Sequence, residues 1–143
     1  MEKEFDLKLD NQLCFSLYTC SRKIISSYQP YLSELKITYT QYLVFLALFE
    51  EDPLTVNELS KKLYLDSGTL SPLLKKLEKE GYINKERNKD DERVVYISLT
   101  NKGKEMKLKL KEIPCLVYNK LQEELSVDEI LELFIILNKY RNK

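Results

Sequence analysis

Apolar side chains recur at helical spacing through most of this chain, and the period changes in only one stretch. Over residues 6–28, Leu9, Leu13, Leu17, Ile24 and Tyr28, with Cys14, Phe15, Tyr18 and Ile25 beside them, form a wide apolar stripe. Pro30 is expected to interrupt that helix, leaving 32–37 as a short continuation that ends near Lys36. Thr38 or Thr40 then caps a second helix over 41–50, with Tyr42, Leu43, Leu46 and Phe49 at helical spacing, and the acidic run from Glu50 to Asp52 followed by Pro53 ends it. Thr55 with Glu58 three residues on forms a capping box that opens a short helix over 56–63, with Val56, Leu59 and Leu63 inward. Asp66 or Ser67 caps the next helix, which runs to Glu80 with Leu70, Leu73, Leu74 and Leu77 on one face; Gly81 follows as a left-handed stop. Pro72 leaves two readings open, a bent helix from Asp66 or a shorter one capped by Ser71.

The period then shifts towards alternation. Residues 82–86 and 94–99 read as two strands around the charged stretch from Arg87 to Arg93, a β-hairpin directly behind two short helices joined by a tight link. This order predicts a winged helix-turn-helix. Thr100 caps a further helix with Met106, Leu108, Leu110 and Ile113 among its apolar positions, which Pro114 kinks or restarts. Ser126 with Glu129 opens a last helix to about Tyr140. The expected fold is mainly α, with a winged domain over 38–100 between an N-terminal region (1–37) and C-terminal helices (101–143). The outer helices carry more apolar surface than the small central domain can cover, which points to a dimerisation region.

Composition narrows the chemistry. The chain has 143 residues, no histidine, three cysteines and three glycines. Without histidine the usual general base and the commonest zinc ligand are gone, and Cys14, Cys20 and Cys115 are too scattered for an all-cysteine zinc site. No metal, no cofactor and no enzymatic turnover are expected. No apolar run is long enough for a membrane span, and the first residues lack the pattern of a signal peptide, so the expected compartment is the cytoplasm and the thiols are expected to be free.

Net charge is zero, so only its distribution is informative. Residues 55–105 hold 11 Lys or Arg against 9 Asp or Glu, a slight excess. The layout says more. The second helix of the pair offers Ser67, Thr69 and Ser71 early, where short hydroxyls suit base edges or phosphates, and then Lys75, Lys76 and Lys79, which suit backbone phosphate. The hairpin adds Lys85, Arg87, Lys89 and Arg93. The plainer reading is a solvated face whose hydroxyls serve only as caps.

The segment from Leu65 to Glu78 (LDSGTLSPLLKKLE) resembles the recognition helix of MarR-type regulators, and Asp91-Glu92-Arg93 with Leu99-Thr100 resembles that family's wing signature. Residues 13–18 (LCFSLY) and 35–42 (LKITYTQY) are similar to one subgroup, the organic-hydroperoxide-sensing (OhrR-type) repressors and their thiol-switch relatives. The resemblance covers about residues 9–105. It implies a homodimeric repressor on double-stranded DNA with an inverted-repeat operator. It implies further that an organic hydroperoxide oxidises Cys14 and that the operator is then released. Tyr28 and Tyr39 match the tyrosines that hydrogen-bond this sulfur across the dimer, and Tyr18 matches a third pocket tyrosine. Asp91 and Arg93 match the salt bridge that shapes the wing.

Elementary chemistry agrees with a thiol switch at Cys14, since neighbouring donors activate a thiol and sulfenic acid is reversible. The apolar neighbours Leu13, Phe15 and Leu17 favour an organic peroxide. A small buried core cysteine is the plainer reading. Cys20, about 9 Å further along the same helix, is poorly placed to pair with Cys14. Cys115 is the candidate resolving cysteine, and one-cysteine sensing capped by an external thiol stays open beside it. The alternative signal is a small apolar or phenolic ligand in a tyrosine-lined pocket.

Overall fold

The computed structural model describes residues 7–143. A single 3-10 turn at Leu9–Asn11 precedes seven α-helices and three strands: α1 (Leu13–Glu34), α2 (Tyr39–Glu50), β1 (Leu54–Thr55), α3 (Val56–Leu63), α4 (Ser67–Lys79), β2 (Ile83–Arg87), β3 (Val95–Leu99), α5 (Asn101–Leu110), α6 (Ile113–Leu121) and α7 (Val127–Arg141). The mainly helical winged helix-turn-helix expected from the sequence is the fold observed.

Local signals set most boundaries. Thr38, Thr55 and Ser126 each accept a hydrogen bond from the backbone N–H three residues on. Gln41, Glu58 and Glu129 return the bond to the cap backbone, completing three capping boxes. Asp66 caps α4 through Thr69 N–H at 2.7 Å, and Gly81 has φ +81°, the left-handed stop expected.

Both prolines inside helices depart from expectation or settle it. Pro30 does not interrupt α1, which runs unbroken to Glu34. Pro72 lies inside α4, so the longer of the two readings holds. Each proline removes one N–H and leaves one carbonyl, on Ser26 or Gly68, without its helical partner. Pro30, Ser26, Pro72 and Gly68 are all exposed, so water takes the bonds the helix loses. The N-terminal helix starts at Leu13 rather than residue 6, which lies outside the described residues. At Pro114 the restart holds rather than the kink, since α5 ends at Leu110 and Pro114 lies in the first turn of α6, where a missing N–H costs nothing.

The chain divides into two compact units, Tyr31–Glu112 and the chain up to Pro30 with Ile113–Lys143. In the first, α2 supplies Tyr42, Val44, Phe45, Ala47 and Leu48 to a closed core, joined by Leu59 of α3, by Leu70, Leu74 and Leu77 of α4, and by Ile83, Ile97 and Leu99 of the sheet. Phe45 meets Tyr82 edge-on at 5.4 Å and stacks on Phe49 at 5.9 Å. The sheet order is β1-β3-β2, wholly antiparallel, with Ile83 opposite Leu99 and Leu54 opposite Ile97. The two-residue β1 has no alternation by which sequence alone reveals a strand. Leu108, counted among the apolar positions of α5, is 71% exposed.

The second unit is different in kind. No residue of α7 is buried, although Val127, Leu131, Leu133, Phe134, Ile135, Ile136, Leu137 and Tyr140 are all large, apolar and exposed. Leu13, Leu17 and Tyr18 on α1 are exposed too, so part of the apolar stripe expected there is not covered within this chain. Lys23 pairs with Glu124 inside this unit.

Candidate nucleic-acid interface and thiol site

Helix α4 is amphipathic because its leucines recur every three or four residues. Leu70, Leu74 and Leu77 are fully buried and Leu73 half-buried. The opposite face is then fixed by geometry. Gly68, Pro72, Lys75 and Lys79 follow the helical period along its centre, flanked by Ser67, Thr69, Ser71 and Lys76, and all are exposed. The α4 N-cap is Asp66, whose carboxyl is held below the ordinary value of 3.8 by hydrogen bonds from Thr69, first from its backbone N–H and then from its side chain. Ser67 and Ser71 are exposed on the open face, and Thr69 beside them also meets Asp66 through its hydroxyl. Sequence reasoning passed over Gly68, where an added Cβ would meet nothing closer than Asp66 Oδ1 at 3.5 Å. A bare backbone at this point permits close approach to the helix.

The wing is built by its own turn. Asn88 Oδ1 accepts from Asp90 N–H at 2.8 Å and Asp91 N–H at 3.3 Å, and Asn88 N–H donates to Val94 O at 2.8 Å, which closes the hairpin. Arg93 Nε lies 3.1 Å from Asp91 Oδ1 and its Nη2 3.3 Å from Oδ2, a two-point contact. That contact and the Arg93 N–H hold the Asp91 carboxyl below its ordinary value. Arg87 Nη1 donates to Glu92 O at 3.0 Å, so this arginine shapes the wing as well as charging it. Lys89 extends from the tip, exposed. Arg87, Lys89 and Asn88 line an open groove of about 450 Å³ with Pro53, Glu86, Tyr96 and Ser98. On α3, Lys62 pairs with Glu50 at 2.7 Å, which raises the lysine's pKa and keeps it charged.

Cys14 is the second residue of α1 and is exposed, not a core residue; Cys20 and Cys115 are exposed as well. Tyr18, one turn beyond Cys14, is 59% exposed with the Arg22 guanidinium 5.5 Å from its ring centre. Tyr28 is half-buried and lies fourteen residues past Cys14, about 21 Å along the helix axis, so α1 by itself does not bring the two together. Tyr39 opens α2 in the other unit, 5.8 Å from the Tyr42 ring. Partial burial holds its hydroxyl above the ordinary 10.0, so it is a hydrogen-bond donor at neutral pH. Asn119 Nδ2 stands 3.9 Å from Cys115 Sγ, a weak N–H···S contact one turn along α6. Among the described residues no group of three His, Cys, Asp or Glu could hold a metal ion, and no helix is long and apolar enough to cross a membrane.

Residues 26–110 match the family model for the transcriptional regulators SarA/Rot. The chain belongs to the SarA/Rot-type regulators of the MarR family. The regulator is 45% identical over 141 residues to an HTH-type transcriptional regulator SarZ of Staphylococcus saprophyticus, covering 99% of this chain and 95% of that one. It is 51% identical over 115 residues to the organic hydroperoxide resistance transcriptional regulator of Bacillus subtilis, 80% of this chain and 78% of that one. Among solved structures it is similar to reduced AbfR bound to DNA, at 38% identity and a TM-score of 0.75, over 94% of this chain and 92% of that one. AbfR of Staphylococcus epidermidis has also been solved overoxidised on DNA and in a disulfide form. A MarR-type, OhrR-related regulator is thus what the motifs in α1, α4 and the wing anticipated.

Proposed function

We propose that this regulator is a homodimeric, cytoplasmic repressor that binds an inverted-repeat operator and releases it when an organic hydroperoxide oxidises Cys14. The observation that carries the reading is the pairing of an exposed thiol at the start of α1 with an outward face on α4 made of hydroxyls and lysines. The kinship with an organic hydroperoxide resistance regulator and with a DNA-bound, oxidisable neighbour supports it.

In the reduced dimer, α4 of each protomer enters the major groove, with Ser67, Thr69 and Ser71 towards base edges and Lys75 and Lys76 on phosphate. The wing, stiffened by Asp91 and Arg93, carries Arg87, Lys89 and Arg93 to the flanking backbone or minor groove. A second protomer covers the apolar faces of α1 and α7 and brings Tyr28 and Tyr39 towards the Cys14 sulfur. The Cys14 thiolate attacks one peroxide oxygen and the O–O bond breaks. Sulfur loses two electrons and becomes sulfenic acid, and the alkoxide leaves as an alcohol after taking a proton. A second thiol, Cys115 of the other protomer or a small external thiol, then forms a disulfide with loss of water. The protein supplies binding and a switch, not turnover.

The test is a titration of reduced protein, bound to a retained fragment from upstream of its own gene, with cumene hydroperoxide. DNA binding and intact mass are followed together for wild type and Cys14→Ser. Release in wild type alone, with the mass of an added oxygen, a thiol adduct or a disulfide, is the expected result. Release of Cys14→Ser by the peroxide overturns the mechanism. Release of both proteins by an apolar or phenolic compound in the reduced state establishes the ligand-driven alternative.

A further inference from the structure

The connection between the recognition helix and the wing is held from outside by the first turn of α5. Three consecutive carbonyls, those of Glu80, Gly81 and Tyr82, are each taken by a donor of this turn. Lys102 Nζ donates to Glu80 O at 2.6 Å, Thr100 Oγ1 to Gly81 O at 2.6 Å, and Thr100 N–H to Tyr82 O at 3.0 Å. Lys102 also places its ammonium 4.4 Å from the Tyr82 ring centre, and Tyr82 meets the fully buried Phe45 edge-on. Gly103 packs so tightly beneath that an added Cβ would stand 2.2 Å from Tyr82 O.

These contacts have a direction. Glu80 is the C-cap of α4, so its carbonyl lies at the negative end of that helix, where a lysine ammonium is favoured. The ammonium thus fastens the end of α4 to a ring already anchored on α2. Thr100 serves twice, capping α5 through Gly103 N–H at 3.1 Å while its hydroxyl proton goes to Gly81 O.

We propose that Lys102 is a positioning residue for DNA recognition. With Thr100 it latches the α4–β2 turn to α5, and so fixes the angle at which the outward face of α4 meets the groove. The proposal rests on the DNA-binding reading above. Lys102 belongs to the latch and not to the contact face, so its loss lowers affinity without removing a phosphate contact.

Operator affinity measured by fluorescence anisotropy across a salt series separates these roles, with wild type, Lys102→Ala, Lys102→Arg and Lys75→Ala compared. A lost phosphate contact lowers the slope of log affinity against log salt by about one, whereas a lost positioning contact leaves the slope intact. Lys102→Ala is expected to weaken binding about five- to tenfold, in the range of a modest coupling between sites, at unchanged slope. Lys102→Arg, which keeps the charge and stacks on Tyr82, restores most of it, and Lys75→Ala lowers the slope. Unchanged affinity in Lys102→Ala, or a slope lowered by one, overturns the proposal. Amide hydrogen exchange on the free protein reads the latch apart from DNA. Exchange should quicken over 78–83 in Lys102→Ala and not elsewhere, and unchanged exchange there also overturns the proposal. If wild type binds no DNA while exchange responds as expected, the DNA-binding reading has failed and the latch has not.

Discussion

The two units of this regulator handle apolar side chains in opposite ways. Within Tyr31–Glu112, leucines and aromatics from four helices and a three-stranded sheet close on one another, with Phe45, Val44, Leu59, Leu70, Leu77 and Ile97 fully buried. In the unit made from the two ends of the chain, α7 buries nothing, and Phe134 and Tyr140 are 62% and 83% exposed. Exposed singly, such residues are ordinary; eight along one fifteen-residue helix are a surface awaiting a partner. The unit that carries α4 and the wing closes a core of its own. The other leaves the apolar side chains of α7 uncovered, and the homodimer proposed above would bury them.

Substitution of one anchor in each unit breaks the comparison or sharpens it. Phe45→Ala is expected to lower folding stability by about 3–5 kcal/mol, the usual range for emptying a core of an aromatic ring, at every protein concentration. Phe134→Ala is expected to cost about 2 kcal/mol, entirely through subunit dissociation. Chemical denaturation and sedimentation over a range of concentrations distinguish the two. A Phe134→Ala protein that stays as dimeric as wild type would mean that α7 is not the interface.

Gly103→Ala probes the tight seam inside the closed unit. Because the obstructing atom is the backbone carbonyl of Tyr82, the chain itself must shift, and a loss of about 1–3 kcal/mol in unfolding free energy, read from denaturant unfolding, is expected. Thr38→Ala removes one side of the α2 capping box and is expected to lower stability by about 1 kcal/mol in a thermal melt. The box is reciprocal, with Thr38 N–H donating to the otherwise buried Gln41 side chain at 2.9 Å. A neutral outcome would show that Gln41 alone holds the helix start.

The smallest effect is that of pH on the wing. The Asp91 carboxyl is held below its ordinary 3.8 by Arg93, so its contribution is complete above that value and fades as pH falls through the lower folded value. The wing is therefore expected to loosen only in acid. Exchange or chemical-shift titration of residues 88–94 reads this, and Asp91→Asn abolishes the transition. A transition at neutral pH would contradict the assignment to Asp91.

Much of the fold was legible because its signals are local. A capping box needs only a Thr or Ser and a Gln or Glu three residues apart, and the buried face of α4 needs only leucines at 70, 73, 74 and 77. The wing turn follows from Asn88 and the charged residues after it, and Gly81 marks its own left-handed φ. The outward set on α4 was legible for the same reason, since naming the inward leucines names the opposite face.

The sequence by itself thus determined the capped starts of α3, α5 and α7, which face of α4 is open, and that one thiol stands among apolar neighbours at the start of α1. Only the tertiary structure decided the rest. Pro30 and Pro72 sit within helices because the faces carrying them are exposed and water serves the orphaned carbonyls, a matter of burial that no local pattern encodes. Strand β1 exists only because Leu54 and Thr55 lie beside Ile97 and Tyr96, far along the chain. The latch from Lys102 and Thr100 to residues 80–82 likewise joins positions some twenty apart. The apolar residues of α7 have the same period whether they are buried or exposed. Periodicity shows which side chains share a face, but what covers that face depends on contacts distant in sequence, and these are set by packing.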